Sequence, residues 1–151
     1  MPKAYRLYPS RIPVDPLSGE GARLYGGRWN RPGTAVVYTS EHLSLAVLEI
    51  LVNNADREAL RDYSFLELEF DPKLIHALKE PPKGWLDYPA SGASQDVGTH
   101  WAEALISAVL AVPNAIVSTE RNYILNPRHP DFKQIKVSRP FPFAFDERLR
   151  K

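Results

Sequence analysis

Apolar and polar positions change period several times along the chain, and each change predicts an element. Tyr63 to Phe70 (YSFLELEF) alternates, with Leu66, Leu68 and Phe70 on one face and Glu67 and Glu69 on the other. That period of two predicts a half-buried strand with a solvated polar face. Tyr5 to Tyr8 predicts a short opening strand, and Ala35 to Thr39 (AVVYT), rich in β-branched and aromatic residues, predicts another. Thr39-Ser40-Glu41 reads as a helix N-cap with a carboxylate in the first turn, so a helix is expected to begin near Glu41. From Leu43 to Val52 (LSLAVLEILV) that helix is apolar on nearly every side, which predicts a central position. Helical spacing returns through Val97, Trp101, Leu105, Ala108 and Val109, predicting a second helix over Asp96 to Leu110 that Val112-Pro113 stops. Ala115 to Val117, Tyr123 to Leu125 and Ile135 to Ser138 predict short strands.

Turn chemistry fills the intervals. The chain has 14 prolines in 151 residues, about twice the usual share of roughly 5%. Pro9, Pro13, Pro16, Gly19, Gly21, Gly26 and Gly27 predict a long early loop without regular structure, and loops of that length more often bind than merely connect. Residues 80 to 92 and the Asn126-Pro127 and His129-Pro130 pairs predict further turns. Short mixed strands with two separated main helices give an α+β fold, and no repeat or composition break divides residues 1 to 151 into more than one domain.

Charge and composition narrow the function. Nineteen Lys and Arg stand against 18 Asp and Glu, a formal net charge of +1, which argues against direct nucleic-acid binding. Cysteine is absent, excluding a disulfide scaffold, a thiolate metal site and a cysteine nucleophile. Apolar runs fall short of the ~20 residues that span a bilayer, and no secretory signal core opens the chain. A cytoplasmic protein without a membrane role is the expectation. The histidines at 42, 76, 100 and 129 lack metal-binding spacing, so no metal is expected. The C-terminal Lys133, Lys136, Arg139, Arg148, Arg150 and Lys151 are diluted by Asp131, Asp146 and Glu147 and read as a solvated tail.

Two places carry candidate chemistry. Glu49 sits among Leu45, Ala46, Leu48, Ile50 and Val52, and a carboxylate in apolar surroundings needs a partner. Either it lies on a polar edge or in a structural ion pair, or it faces a ligand. In Tyr25-Gly-Gly-Arg-Trp-Asn-Arg-Pro-Gly33, two glycines precede Arg28, which lets backbone approach a ligand while a planar guanidinium points at phosphate or carboxylate. Trp29 and Tyr25 offer a stacking face. The alternative is a loop in which Arg28 caps carbonyls and Trp29 plugs the core.

The order of these pieces resembles the RES-domain family over essentially the whole chain. The resemblance rests on Tyr5-Arg6, Ser18-Gly-Glu-Gly-Ala22, Gly26-Gly-Arg-Trp-Asn30, Val36-Val-Tyr-Thr-Ser40, Ser44-Leu-Ala-Val-Leu-Glu49, Val112-Pro113 and Asn122-Tyr-Ile-Leu-Asn-Pro-Arg-His-Pro130. It implies a fold similar to the ADP-ribosyltransferase toxins and the toxin half of a type II toxin–antitoxin pair. The implied partner is an Xre-type helix-turn-helix antitoxin. The implied substrate is NAD, cleaved at the nicotinamide–ribose bond by water or phosphate or used to ADP-ribosylate a target protein. By the same resemblance Arg6 and Arg28 match the active-site arginines, Tyr38 the strand tyrosine and Glu49 the helix glutamate. Where the family commonly has Val-Pro-Ser, this chain has Val112-Pro113-Asn114. Asn114 is expected to contact the dinucleotide through its carboxamide, with Ser118 on the same strand face.

The implied chemistry suits the residue types. Loss of neutral nicotinamide leaves an oxocarbenium-like ribose, which calls for guanidinium on the pyrophosphate, an aromatic wall for the ring and a carboxylate against the ribose. Arg6 and Arg28, Tyr38 and Glu49 are expected in those roles. An inert binding module and a ribonuclease are the competing readings, the latter disfavoured by the near-neutral charge.

Overall fold

A computed structural model describes residues 1 to 54 and 56 to 151. In chain order the elements are β1 (Lys3–Pro9), α1 (Glu20–Tyr25), β2 (Val37–Ser40), α2 (Leu43–Asn53), β3 (Tyr63–Glu69), β4 (Ile75–Ala77), α3 (Gly92–Glu103), β5 (Val109–Pro113), β6 (Arg121–Leu125), β7 (Lys136–Val137) and β8 (Phe141–Phe143). The strands form one sheet in the order β4-β5-β6-β2-β1-β3-β7, with β8 also on β3. Among the described residues every pairing is antiparallel except β4–β5, whose crossover carries α3. This is the α+β architecture that the mixed pattern predicts.

Alternation along the central strands builds two interiors. Val109, Ala111, Tyr123 and Leu125 join Leu66, Leu68 and Phe70 in one core, while Leu110, Val112 and Ile124 point the other way and pack with Trp29, Trp101 and Ala102. A strand buried on both faces reads as a continuous apolar run without a period. That explains the correction at Asp96 to Leu110: the helix covers Gly92–Glu103 and ends before the strand. Its stop signal is backbone geometry. Leu105 has φ 52°, its N–H bonds to Ala102 O at 3.2 Å, and the Ile106 N–H returns to Trp101 O at 3.2 Å. These two bonds are a Schellman ending with leucine where glycine is usual.

Other expectations are corrected as well. The early segment contains the short helix α1. Glu41 does not start α2, because its backbone prolongs the β2–β6 ladder through Arg121 and its Oε1 accepts the Arg121 N–H at 2.7 Å. The helix therefore begins at Leu43, with His42 in extended conformation and no side-chain cap. Nor is α2 central. Leu45 and Ala46 are buried, but Leu48 and Val52 are 38% and 64% exposed. Ala115 to Val117 form no strand; the loop after β5 turns back through Glu120, which puts Ser118 in an exposed turn. The C-terminal charges are mostly exposed, yet their backbone is no free tail, since β7 and β8 pair with β3 and Ile135 and Phe145 are buried. Among the described residues no helix is long and apolar enough to cross a membrane.

Two contacts position the site. α3 lies so close to the Arg28 loop that a β-carbon on Gly98 would overlap Trp29 O at 1.7 Å. Strands β1 and β2 share only the Tyr5–Ser40 register position. Where they part, Arg6 to Pro9 and Tyr38 to Thr39 line the wall of a cleft of about 1300 Å³.

Candidate active site

Four of the five expected residues line this one cleft: Arg6 from β1, Arg28 from the loop after α1, Tyr38 from β2 and Glu49 from α2. The volume exceeds the roughly 300–1,000 Å³ of most small-molecule pockets, room for an elongated ligand. A second cavity of about 570 Å³, beside Asp62, Phe143 and Arg150, contains none of them.

Arg6 has an unusual environment. Its Nε donates to Pro16 O at 3.0 Å, and among the described residues no carboxylate pairs with it. Burial lowers its pKa from the ordinary arginine value. A desolvated guanidinium without a counter-ion is costly and favours an anion in the cleft.

Arg28 caps carbonyls and lines the cleft as well. One terminal nitrogen donates to Trp85 O at 2.6 Å and Asp87 O at 3.0 Å, tying the site to residues 80 to 91, while the side chain still lines the cleft. Trp29 is the core plug, 1% exposed and stacked on Trp85 with centroids 6.1 Å apart. Tyr25 is the free aromatic at the mouth, 83% exposed.

Tyr38 is clamped. Its hydroxyl donates to Asn30 Oδ1 at 2.6 Å and accepts the Trp29 N–H at 3.0 Å. Burial pushes its pKa well above the ordinary phenol value, while Arg28 pulls it down and Glu49 pushes it up. The two opposite charges thus both act on one ring.

Glu49 has found neither a cation nor an apolar trap. Its Oε1 accepts from Asn114 Nδ2 at 2.6 Å and from Asn122 Nδ2 at 3.3 Å, and among the described residues Oε2 accepts nothing. Asn114 departs from its expected place, because it is fully buried behind Glu49 and does not line the cleft. Asn122 lines it instead, and so does Gln95, whose Nε2 donates to Gly27 O at 3.1 Å. Sequence reasoning assigned neither a role. The available signal for Asn122 was an amide opening the otherwise apolar strand run Tyr123 to Leu125, where asparagine is disfavoured. Among the described residues one trio, Glu41, His42 and Glu120, brings potential metal-ligand atoms within 4.8 Å of one another, and none of the three lines the cleft.

Chemically, the cleft offers the guanidinium groups of Arg6 and Arg28, the clamped ring of Tyr38 and the Glu49 Oε2 that accepts no hydrogen bond among the described residues. Comparison with known proteins identifies the family. The RES domain family model matches residues 3–146. The chain is 39% identical over 149 residues to a protein named Toxin Res from Yersinia enterocolitica, covering 97% of this chain and 98% of that relative. It is 37% identical over 142 residues to the Prs ADP-ribosylating toxin of a Sphingobium species, covering 90% and 88%. Among solved structures, the M. tuberculosis MbcT–MbcA toxin–antitoxin complex contains a similarly folded chain. The TM-score is 0.74 at 19% identity, over 94% of this chain and 84% of that one.

Proposed function

The chain belongs to the RES-domain family, and on that premise we propose that it is the toxin of a toxin–antitoxin pair and consumes NAD by breaking the nicotinamide–ribose bond. Residues 1 to 151 act in this reading as one RES domain. The observation that carries it is the pairing of a half-buried Arg6, which no carboxylate among the described residues neutralises, with a Glu49 whose Oε2 accepts no hydrogen bond, both on one cleft.

The pyrophosphate takes the place of the missing counter-ion at Arg6, with Arg28 as the second cation; guanidinium suits phosphate because it bonds in bidentate fashion. Tyr38 supplies the wall for the nicotinamide ribose end, its ring held by the Asn30 and Trp29 bonds. Glu49 Oε2 accepts from a ribose hydroxyl and faces the positive charge that grows as the C1′–N bond breaks. The bonding pair leaves with nicotinamide, which becomes neutral. The acceptor's oxygen or nitrogen then bonds to C1′ and gives up its proton. Stabilising that charge with groups already held in place is the larger part of the rate.

A protein acceptor is the second reading. The Sphingobium relative is named an ADP-ribosylating toxin, and the cleft mouth carries exposed apolar side chains, Val14, Leu24, Tyr25 and Tyr88, suited to a protein surface. The partner proposed for the free toxin is an Xre-type antitoxin, and the proposed compartment is the cytoplasm, where NAD is available.

Incubation of purified protein with NAD labelled in the adenylate half, followed by chromatography and gel autoradiography, tests the proposal. Free nicotinamide with no labelled protein supports hydrolysis or phosphorolysis, and label on a protein supports transfer. Glu49→Gln is expected to lower nicotinamide release by about 10²–10³-fold with folding intact. Intact NAD with the wild-type chain and added lysate would sink the proposal.

A further inference from the structure

The carboxamide of Asn114 joins the loop after β5 to the glutamate of α2. Its Oδ1 accepts the backbone N–H groups of Ile116 at 2.7 Å and Val117 at 2.8 Å. Two N–H donors can converge only on the oxygen end of an amide, so the loop fixes which way the group points. The Nδ2 end must face the site. It donates to Glu49 Oε1 at 2.6 Å and to Asn122 Oδ1 at 3.0 Å. Held by that second bond, Asn122 turns its own Nδ2 to the same Glu49 oxygen at 3.3 Å. Two asparagines eight residues apart thus close a ring of bonds around a single carboxylate oxygen that lies 65 residues earlier in the chain than Asn114.

We infer that Asn114 and Asn122 are positioning residues that lock Glu49 Oε1 and present Oε2 to the ribose with its charge uncancelled. The inference rests on the NAD reading of the cleft for its functional meaning. A lysine or arginine would also fix a carboxylate, but it would neutralise the charge that a developing cation needs. Two neutral amides fix the rotamer and leave the full negative charge in place. Chain chemistry explains why asparagine serves at position 114. A serine hydroxyl has one proton and can bond to Glu49 or to Asn122, whereas the amide has two and bonds to both. Because Asn114 is fully buried, any effect it has on rate must pass through the groups it holds, Glu49 first, then Asn122 and the loop at Ile116 and Val117, and the Glu49→Gln background separates the first route from the others.

The test combines side-chain amide NMR with kinetics of Asn114→Ser and Asn122→Ala, each in the wild-type and Glu49→Gln backgrounds. Expected first is a clear upfield movement of the Asn114 NH₂ proton signal in Glu49→Gln, where the charged acceptor is gone. Expected next is a kcat for nicotinamide release lowered about tenfold or more by each substitution, with KM for NAD within about twofold of wild type. In the Glu49→Gln background the same substitutions should change kcat by less than about twofold, because the residue they act through is already disabled. Asn122→Ala leaves the Asn114 loop bonds intact, so it decides the matter even where Asn114→Ser fails to fold. Rate losses that multiply in the double variants, or an Asn114 signal indifferent to Glu49→Gln, would overturn the inference. Absence of nicotinamide release from the wild-type protein strikes the NAD reading alone, since the NMR result still decides whether the clamp exists.

Discussion

A β-carbon added to Gly27 would lie 2.7 Å from the hydroxyl oxygen of Tyr38, so the loop backbone and the strand tyrosine are in direct contact. The same loop supplies the Asn30 Oδ1 and Trp29 N–H that hold the hydroxyl. Gly27→Ala must therefore displace either the ring or the loop that carries Arg28. We expect a loss of about 1–3 kcal/mol in folding free energy, the usual range for overpacking, and weaker NAD binding. Urea denaturation and the KM for NAD measure the two effects. Unchanged values for both would show that the contact relaxes freely.

The other close approach concerns stability more than chemistry. A methyl group at Gly98 would overlap Trp29 O, which belongs to backbone and cannot turn aside. Gly98→Ala forces α3 away from the Arg28 loop and opens the core around Trp29, Trp101 and Ile124. The expected cost is about 3 kcal/mol or more, read as a lowered midpoint in thermal denaturation. Ala102→Gly, on the same helix, should cost less, because it removes a methyl group without any overlap.

How much of this was legible in the chain depended on whether a local signal existed. Strand β3 announced itself through the alternation of Leu66, Leu68 and Phe70, all of them buried. Strand β5 did not, because Ala108 to Val112 is buried on both faces and shows no period, so its residues were absorbed into the preceding helix. The end of α3 at Leu105 carries no glycine to mark it. At the site, arginine after paired glycines and a carboxylate in an apolar helix both stand out chemically, which is why Arg28 and Glu49 were legible. The amide clamp was not. Its geometry comes from the 114–120 loop meeting α2 across 65 residues of chain, and no spacing rule encodes such a meeting.

Arg6 stands at the junction of stability and binding. Its guanidinium is half-buried without an anionic partner, so it weakens the free protein and strengthens the complex. Arg6→Met keeps the length of the side chain and removes the charge. The free variant is expected to melt about 2–4 °C above wild type, while ADP-ribose is expected to raise the melting temperature of wild type and to raise that of the variant much less. Thermal denaturation with and without ADP-ribose provides both readings. A variant less stable than wild type yet still stabilised by the ligand would remove Arg6 from the anion site.

Burial of Tyr38 also makes a pH signature. Its pKa in the folded protein is raised, chiefly by desolvation, above the value of about 10 for an exposed tyrosine. A raised folded pKa means that the native state retains its proton where the unfolded chain has lost it. The corresponding stabilisation is complete below pH 10 and is lost as pH rises through the folded value. Burial raises Tyr63 and Tyr123 in the same direction, so the wild-type protein alone cannot isolate one ring. The comparison with Tyr38→Phe does, since the other two tyrosines remain in both chains. At neutral pH the variant should be less stable by about 1–3 kcal/mol, because the buried Trp29 N–H loses its acceptor. Above pH 10 the gap should close at up to about 1.4 kcal/mol per pH unit, the limit for one proton. Urea denaturation at a series of pH values from 8 to 11 measures the gap directly. Parallel curves would mean that Tyr38 ionises as readily in the fold as out of it, and the clamped ring assigned to the cleft wall would have to be abandoned.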